Sequence, residues 1–285
     1  MGITTGQQIQ HYYEVYQTTD VTFTKEVVKA LHVVPKQVFF KCLGSQWPCL
    51  VLSASMSSAR LFATLNETFY EQIKRSGNII QIRFAFKREE KTDPLTFYIS
   101  AKVTGFTPYG KSEKDVNFIT CVFTQKPPDS FIEILGGLLD ATMESQKRRE
   151  ERIVITVDSA RRLGLSSKES VILIDQVPRK CLIRDLSYSG AKVILIGVAK
   201  YLINKPATIK IAFDDLPEAM IIQGQILRDE EVSGRKDVVA LAMKFEDERV
   251  PIEYKMIINQ YLKHPVKIIT KRPPPAGGAQ RPASS

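Results

Sequence analysis

Two short runs hold the residues whose types and spacing could do chemistry. The first is Lys147-Arg148-Arg149-Glu150-Glu151-Arg152, which contains Arg148-x-x-x-Arg152. Guanidinium groups are rigid forks of N–H donors that keep their charge, so a cluster of them is a candidate for binding chemistry. Alone the pair says little. With 16 arginines in 285 residues, about one such spacing arises by chance. A charged helix end, with Glu and Arg pairing in water, accounts for it equally well. The second run, Asp185-Leu-Ser187-Tyr-Ser-Gly190, fits D-x-S-x-x-G, for which only about 0.05 chance matches are expected. Asp, Ser and Gly are turn residues. A tight turn can also offer a carboxylate, a hydroxyl and a close backbone approach at Gly190.

Other reactive constellations are missing. His11, His32 and His264 fall in no metal-ligand spacing and read as surface or packing residues. Cys42 and Cys49 flank a Leu-Gly-Ser-Gln-Trp-Pro hairpin turn at a separation that is not a zinc-knuckle spacing. With Cys121 and Cys181 they read as reduced structural thiols, and Trp47 as a core anchor. Asp214-Asp215 reads as a solvated turn. There is no Walker loop, dinucleotide fingerprint or nucleophile elbow, so no enzyme, metal or cofactor is expected.

Charge narrows the class further. The formal net charge is +9. It divides into +2 for residues 1–140, +3 for residues 141–264 and +4 for residues 265–285. Neither half has the strong basic bias of a dedicated nucleic-acid-binding domain. No apolar run approaches the ~20 residues of a membrane span. Met1-Gly-Ile-Thr-Thr-Gly6 has no basic region leading into an apolar core, so a cytoplasmic location is expected.

The elements that must position these runs are mainly β. Residues 37–43, 49–55, 60–65, 79–87, 95–106 and 116–124 read as strands. Helices are expected over 5–16, over 25–31 with Thr24 as N-cap, and over 66–74. Pro127-Pro128-Asp129 opens a helix with Asp129 as N-cap, which Gly136-Gly137 weakens. A second β series follows at 153–157, 171–174, 180–185, 191–196, 208–213, 220–228 and 238–245, then a helix from Pro251 to Leu262. This spacing predicts two small antiparallel β-barrels in tandem with connecting and C-terminal helices. The expected domains are 1–140, 141–264 and a disordered basic, Pro-rich tail at 265–285.

The conjunction of the two runs is more specific than either. An Arg pair abuts the first strand of the second half, and the D-x-S-x-x-G turn follows 33 residues after Arg152. Here the sequence resembles the PilZ domain family, the bacterial receptors for cyclic di-GMP. The matching elements are Arg148-x-x-x-Arg152-Ile and Lys180-Cys-Leu-Ile-Arg-Asp185-Leu-Ser187-Tyr-Ser-Gly190-Ala. The first half, with its Gln46-Trp47-Pro48-Cys49 hairpin, resembles the PilZ-like N-terminal domain of two-domain PilZ proteins of the spirochaete, PlzA-like type.

The resemblance implies roles. Arg148 and Arg152 would take the phosphates and Hoogsteen edges of the ligand, with Arg149 and Lys147 as auxiliary cations. Asp185 would accept from guanine N1–H and N2–H, Ser187 would offer a hydroxyl, and Gly190 would leave room for the purine. Glu150 and Glu151 would oppose an anion unless turned outward. The implied protein is a non-catalytic cyclic di-GMP effector acting on a downstream protein partner. Its 145–152 segment would be mobile without ligand, because its like charges would lack partners, and ligand would set the angle between the barrels. Two competing readings are a nucleic-acid binder using the barrels and basic tail, and a structural adaptor with a degenerate motif.

Overall fold

The computed structural model describes residues 4–88, 93–110, 115–198, 201–232 and 235–263; the tail at 265–285, with the disorder expected of it, lies outside them. The first half runs α1 (Gly6–Tyr16), β1 (Val21–Thr22), α2 (Lys25–Ala30), β2 (Phe39–Cys42), β3 (Ser45–Pro48), β4 (Leu50–Ala54) and β5 (Ser58–Thr64). It continues with α3 (Glu67–Arg75), β6 (Ile79–Phe86), β7 (Leu95–Pro108), β8 (Val116–Phe123) and α4 (Asp129–Lys147). The second half runs β9 (Ile153–Val154), α5 (Val157–Leu163), β10 (Glu169–Ile174), β11 (Val177–Leu186) and β12 (Gly190–Ile196). It ends with β13 (Pro206–Ile211), β14 (Met220–Val232), β15 (Arg235–Phe245) and α6 (Ile252–Lys263).

The two sheets are both antiparallel but close differently. The second follows the order β10-β13-β14-β15-β12-β11, and β10 pairs again with β11, which makes a closed six-stranded barrel. The first follows β1-β4-β5-β8-β7-β6-β2-β3 and its end strands do not pair among the described residues. It is a curled open sheet around an aromatic core. Trp47 sits in that core, stacked on Phe40 at 5.8 Å and edge-on to Phe69 at 5.1 Å. The four cysteines are buried and free.

Local chemistry explains most boundaries. Thr24 and Asn66 cap α2 and α3 by accepting from the N–H groups of Val27 and Phe69. Asp129 is not the cap of α4; Pro128 holds that position and Asp129 is the first helical residue. The helix also passes unbroken through Gly136-Gly137. A Cβ on Gly136 would lie 2.5 Å from the Tyr12 ring. The glycine therefore seats α1 on α4, and that packing offsets its propensity cost of about 1 kcal/mol. The strand expected at 153–157 is only two residues long. Thr156 caps α5 through a capping box with Ser159, and Gly164, at φ 64°, ends it in the left-handed region.

Helix α6 joins the halves. Tyr254 and Ile258 fill the barrel core, while Ile252 and Met256 pack on the core of the first half. No helix among the described residues is long and apolar enough to cross a membrane.

Candidate ligand-binding site

Strand β11 outruns β10 and thereby creates the site. Residues 177–182 of β11 pair with β10, and Asp185 and Leu186 then pair with Val154 and Ile153 of β9. A β-bulge against β12 lies between Ile183 and Asp185. Before it, Cys181 and Ile183 point into the barrel; after it, Leu186 does. The bulge so turns Asp185 onto the outer wall. Because β9 directly follows the arginine run, this pairing also brings Arg152 alongside. Its Nη1 donates to Asp185 Oδ1 at 2.5 Å. The Asp185 side chain is 9% exposed and that of Arg152 is 31% exposed. Charge-assisted bonds of this kind are strong, and removing one partner strands the other charge.

The remaining cations of the run are also held. Glu144, on the last turn of α4, accepts from Arg148 Nε at 2.7 Å and from Lys147 Nζ at 3.4 Å. Arg149 pairs with Asp247, in a short 3-10 turn after β15. The expectation that these like charges lack partners is therefore wrong: each has a carboxylate of the protein itself. Both glutamates of the run are exposed. Glu150 accepts from Ser189 Oγ at 3.1 Å, and Glu151 lies 3.9 Å from Arg148.

Residues 187–189 link β11 to β12. Ser187 is fully buried, and its hydroxyl donates to the Gly190 carbonyl at 3.2 Å. The Gly190 Cα packs against β15, where a Cβ would collide with the Met243 carbonyl oxygen. That approach alone requires glycine, whatever is bound. Ser189 Oγ donates to the Arg149 carbonyl at 2.8 Å and so ties the turn to the arginine run. Tyr254 OH donates to the Ser187 carbonyl at 2.8 Å. Burial, with the Asp185 charge adding, pushes the Tyr254 phenol well above its ordinary range, so it remains a neutral donor.

Register extends the site beyond the two motifs. Val154, Asp185, Lys192, Ala242 and Arg228 lie opposite one another on successive strands. Lys192 and Arg228 thus continue the charged outer wall. Lys192 Nζ lies 2.8 Å from both carboxylate oxygens of Glu230. That hydrogen bond holds the Glu230 carboxyl below its usual value. Lys255 of α6 is half-buried, and burial lowers its ammonium pKa, with Arg149 adding to the effect and Asp247 opposing it. Sequence spacing could not reveal Lys192, Arg228, Asp247 or Glu144. The alternation of β12 was the only signal, for Lys192 on its outward face.

A groove of about 530 Å³ between α2, α5 and α6 contains none of these residues. Its lining mixes Arg161 and Arg162 with Asp214, Asp215 and Glu253. Among the described residues no cluster of His, Cys, Asp or Glu could hold a metal ion.

Fold and site together define a tandem β protein whose second unit is a six-stranded barrel with an arginine run folded against its outer wall. The chain belongs to the PilZ family. Residues 7–142 match the PilZN3 domain and residues 146–264 the PilZ domain. A relative from Treponema denticola, a cyclic di-GMP binding protein, is 46% identical over 261 residues, covering 92% of this chain and 83% of the relative. Among solved structures, Borreliella burgdorferi PlzA in complex with c-di-GMP is 24% identical, with 90% of this chain and 98% of that chain covered and a TM-score of 0.40. Escherichia coli YcgR in complex with c-di-GMP is 13% identical, with 81% and 84% covered and a TM-score of 0.25.

Proposed function

We propose that the protein is a receptor for cyclic di-GMP that acts without catalysis, by changing the arrangement of its two halves and its affinity for a downstream protein. The observation that carries this reading is the Arg152–Asp185 pair on the outer barrel wall, with Arg148 and Arg149 beside it. Two phosphodiester charges match the arginines. The guanine N1–H and N2–H donors match the Asp185 carboxylate. The 46% identity to a cyclic di-GMP binding protein supports the same ligand.

Binding is an exchange of partners. Ligand phosphates replace Glu144 and Asp247 on Arg148 and Arg149, and a guanine edge replaces Arg152 on Asp185. Lys147 adds charge at the rim. Ser187 and Gly190 act by shaping the turn. Freed from Glu144 and Asp247, the 145–152 segment closes over the ligand, and because it connects the halves, their angle changes.

Thermal unfolding tests the assignment. A ligand that binds only the folded state stabilises it by mass action. Micromolar cyclic di-GMP raises the Tm, while cyclic AMP and single-stranded oligonucleotide do not. No rise with cyclic di-GMP overturns the reading.

A further inference from the structure

The D-x-S-x-x-G turn is wired to the first half through buried polar side chains that lie outside the binding wall. Tyr188, at the centre of the turn, is 3% exposed, Asn259 on α6 is 5% exposed and Asp140 on α4 is 4% exposed. Tyr188 OH donates to Asn259 Oδ1 at 3.0 Å, and Asn259 Nδ2 donates to Asp140 Oδ2 at 2.5 Å. Lys263 Nζ, at the end of α6, lies 2.5 Å from the same Asp140 oxygen. It also donates to Tyr12 OH at 3.3 Å and lies 5.0 Å from the Tyr12 ring centre. Tyr16 of α1 feels the same carboxylate: burial first, then the charges of Asp140 and Glu144, push its phenol up to about 12. The chain of contacts therefore runs from the turn, across α6, to α4 and α1.

Each link is expensive to break. A buried polar group left without its partner costs about 1–3 kcal/mol, and more when it is charged. Asn259 is the midpoint, because its amide uses one end on the turn and the other on the first half. Helix α6 grips the turn a second time, through Tyr254 and the Ser187 carbonyl. A shift of the turn therefore cannot occur without moving α6, repositioning Asp140 or stranding a buried amide. Ligand exchange at Asp185 takes place two residues from Ser187, at the start of that turn.

We propose that the relay Tyr188–Asn259–Asp140–Lys263 carries the ligation state of the D-x-S-x-x-G turn to helices α1 and α4 of the first half, with Asn259 as the coupling residue. This rests on the cyclic di-GMP reading above. It names a route separate from the arginine run, which connects the halves along the chain.

Hydrogen exchange on the full chain, with and without saturating cyclic di-GMP, tests both statements at once. Amides of residues 185–195 report ligand occupancy, and those of residues 6–16 report the far end of the relay. In the wild type, ligand slows exchange in both regions, by about five-fold or more in residues 6–16. In Asn259→Leu, which keeps a side chain of similar shape, residues 185–195 are still protected and the response of residues 6–16 is gone. Tyr188→Phe removes one hydroxyl, is the milder change to the fold, and also abolishes the response of residues 6–16. Protection of 185–195 without any response of 6–16 in the wild type overturns the relay and leaves the receptor reading intact. So does an undiminished response of 6–16 in either variant. No protection anywhere with ligand overturns the receptor reading, and the relay with it.

Discussion

The two sheets bury their polar side chains in different ways. In the first, Ser55 closes a local turn with Ser57 and Ser58, and Asn117 donates to Tyr70 OH at 3.2 Å. These are scattered, neutral and satisfied close by, around a core of Trp47, Phe40, Phe69, Phe84 and Phe131. In the barrel, Asp185, Ser187 and Ser189 are buried within five residues, and one of them is charged. The barrel core is largely aliphatic, and the hydroxyls of its two buried tyrosines, Tyr188 and Tyr254, serve the turn or its relay. Apolar burial specifies both folds. Between the two sheets, it is the barrel that gathers buried polar groups into one turn, while Asp140 and Asn259 form a second buried cluster where α4 meets α6; the turn is where a binding site is worth seeking.

The sharpest way to break this contrast is to remove one arginine from each sheet. Arg152→Ala weakens cyclic di-GMP binding by more than about 100-fold in titration calorimetry. It also lowers unfolding free energy by about 2–3 kcal/mol by stranding Asp185. Arg83→Ala, on the first sheet, removes a cation 5.3 Å from the Phe39 ring and bonds to Gln37. It costs about 1 kcal/mol and leaves binding unchanged. Equal losses of affinity would erase the distinction.

Glycine substitutions probe packing at the same two places. Gly190→Ala forces β12 away from the Met243 carbonyl and destabilises the barrel by about 3 kcal/mol, read from the denaturant midpoint. Gly105→Ala, on β7, meets open space and shifts stability by about 0.5 kcal/mol or less. A mild effect at Gly190 would show that the turn is looser than its contacts imply.

Smaller effects refine the partner-exchange account. Asp247→Asn frees Arg149 and tightens cyclic di-GMP binding about three-fold, as expected for an exposed ion pair. Weaker binding would mean that Asp247 positions Arg149 rather than competing for it. Smallest of all, Gly137→Ala stabilises the chain by about 0.5–1 kcal/mol, since nothing lies within 4 Å of the new methyl. Gly136→Ala, one residue away, destabilises it through Tyr12.

Much of this was legible in the sequence because it depends on local chemistry. Thr24 and Asn66 announce helix starts, and alternation gives the long strands. The two motifs meet in space because β9, which follows the arginine run, pairs with β11, which ends in the turn. What the sequence hid depends on contacts across the fold. Gly136-Gly137 reads as a helix breaker until Tyr12 is seen in its socket. Helix α5 is only seven residues long and hides behind an apolar run, although Thr156 and Gly164 mark its ends. The motif names Ser187 and Gly190, but not that the Ser187 hydroxyl donates to the Gly190 carbonyl or that Gly190 packs against the Met243 carbonyl of β15. Asn259 and Asp140, 119 residues apart, share no pattern that spacing could disclose.

The central claim is that the arginine run and the D-x-S-x-x-G turn receive one ligand together. A crystal structure of the full chain with cyclic di-GMP tests it most directly. The account predicts the dinucleotide on the outer barrel wall, phosphates on Arg148 and Arg149, and a guanine edge on Asp185 in place of Arg152. Ligand bound in the groove between α2, α5 and α6, or on the first sheet, with the Arg152–Asp185 pair undisturbed, would contradict it.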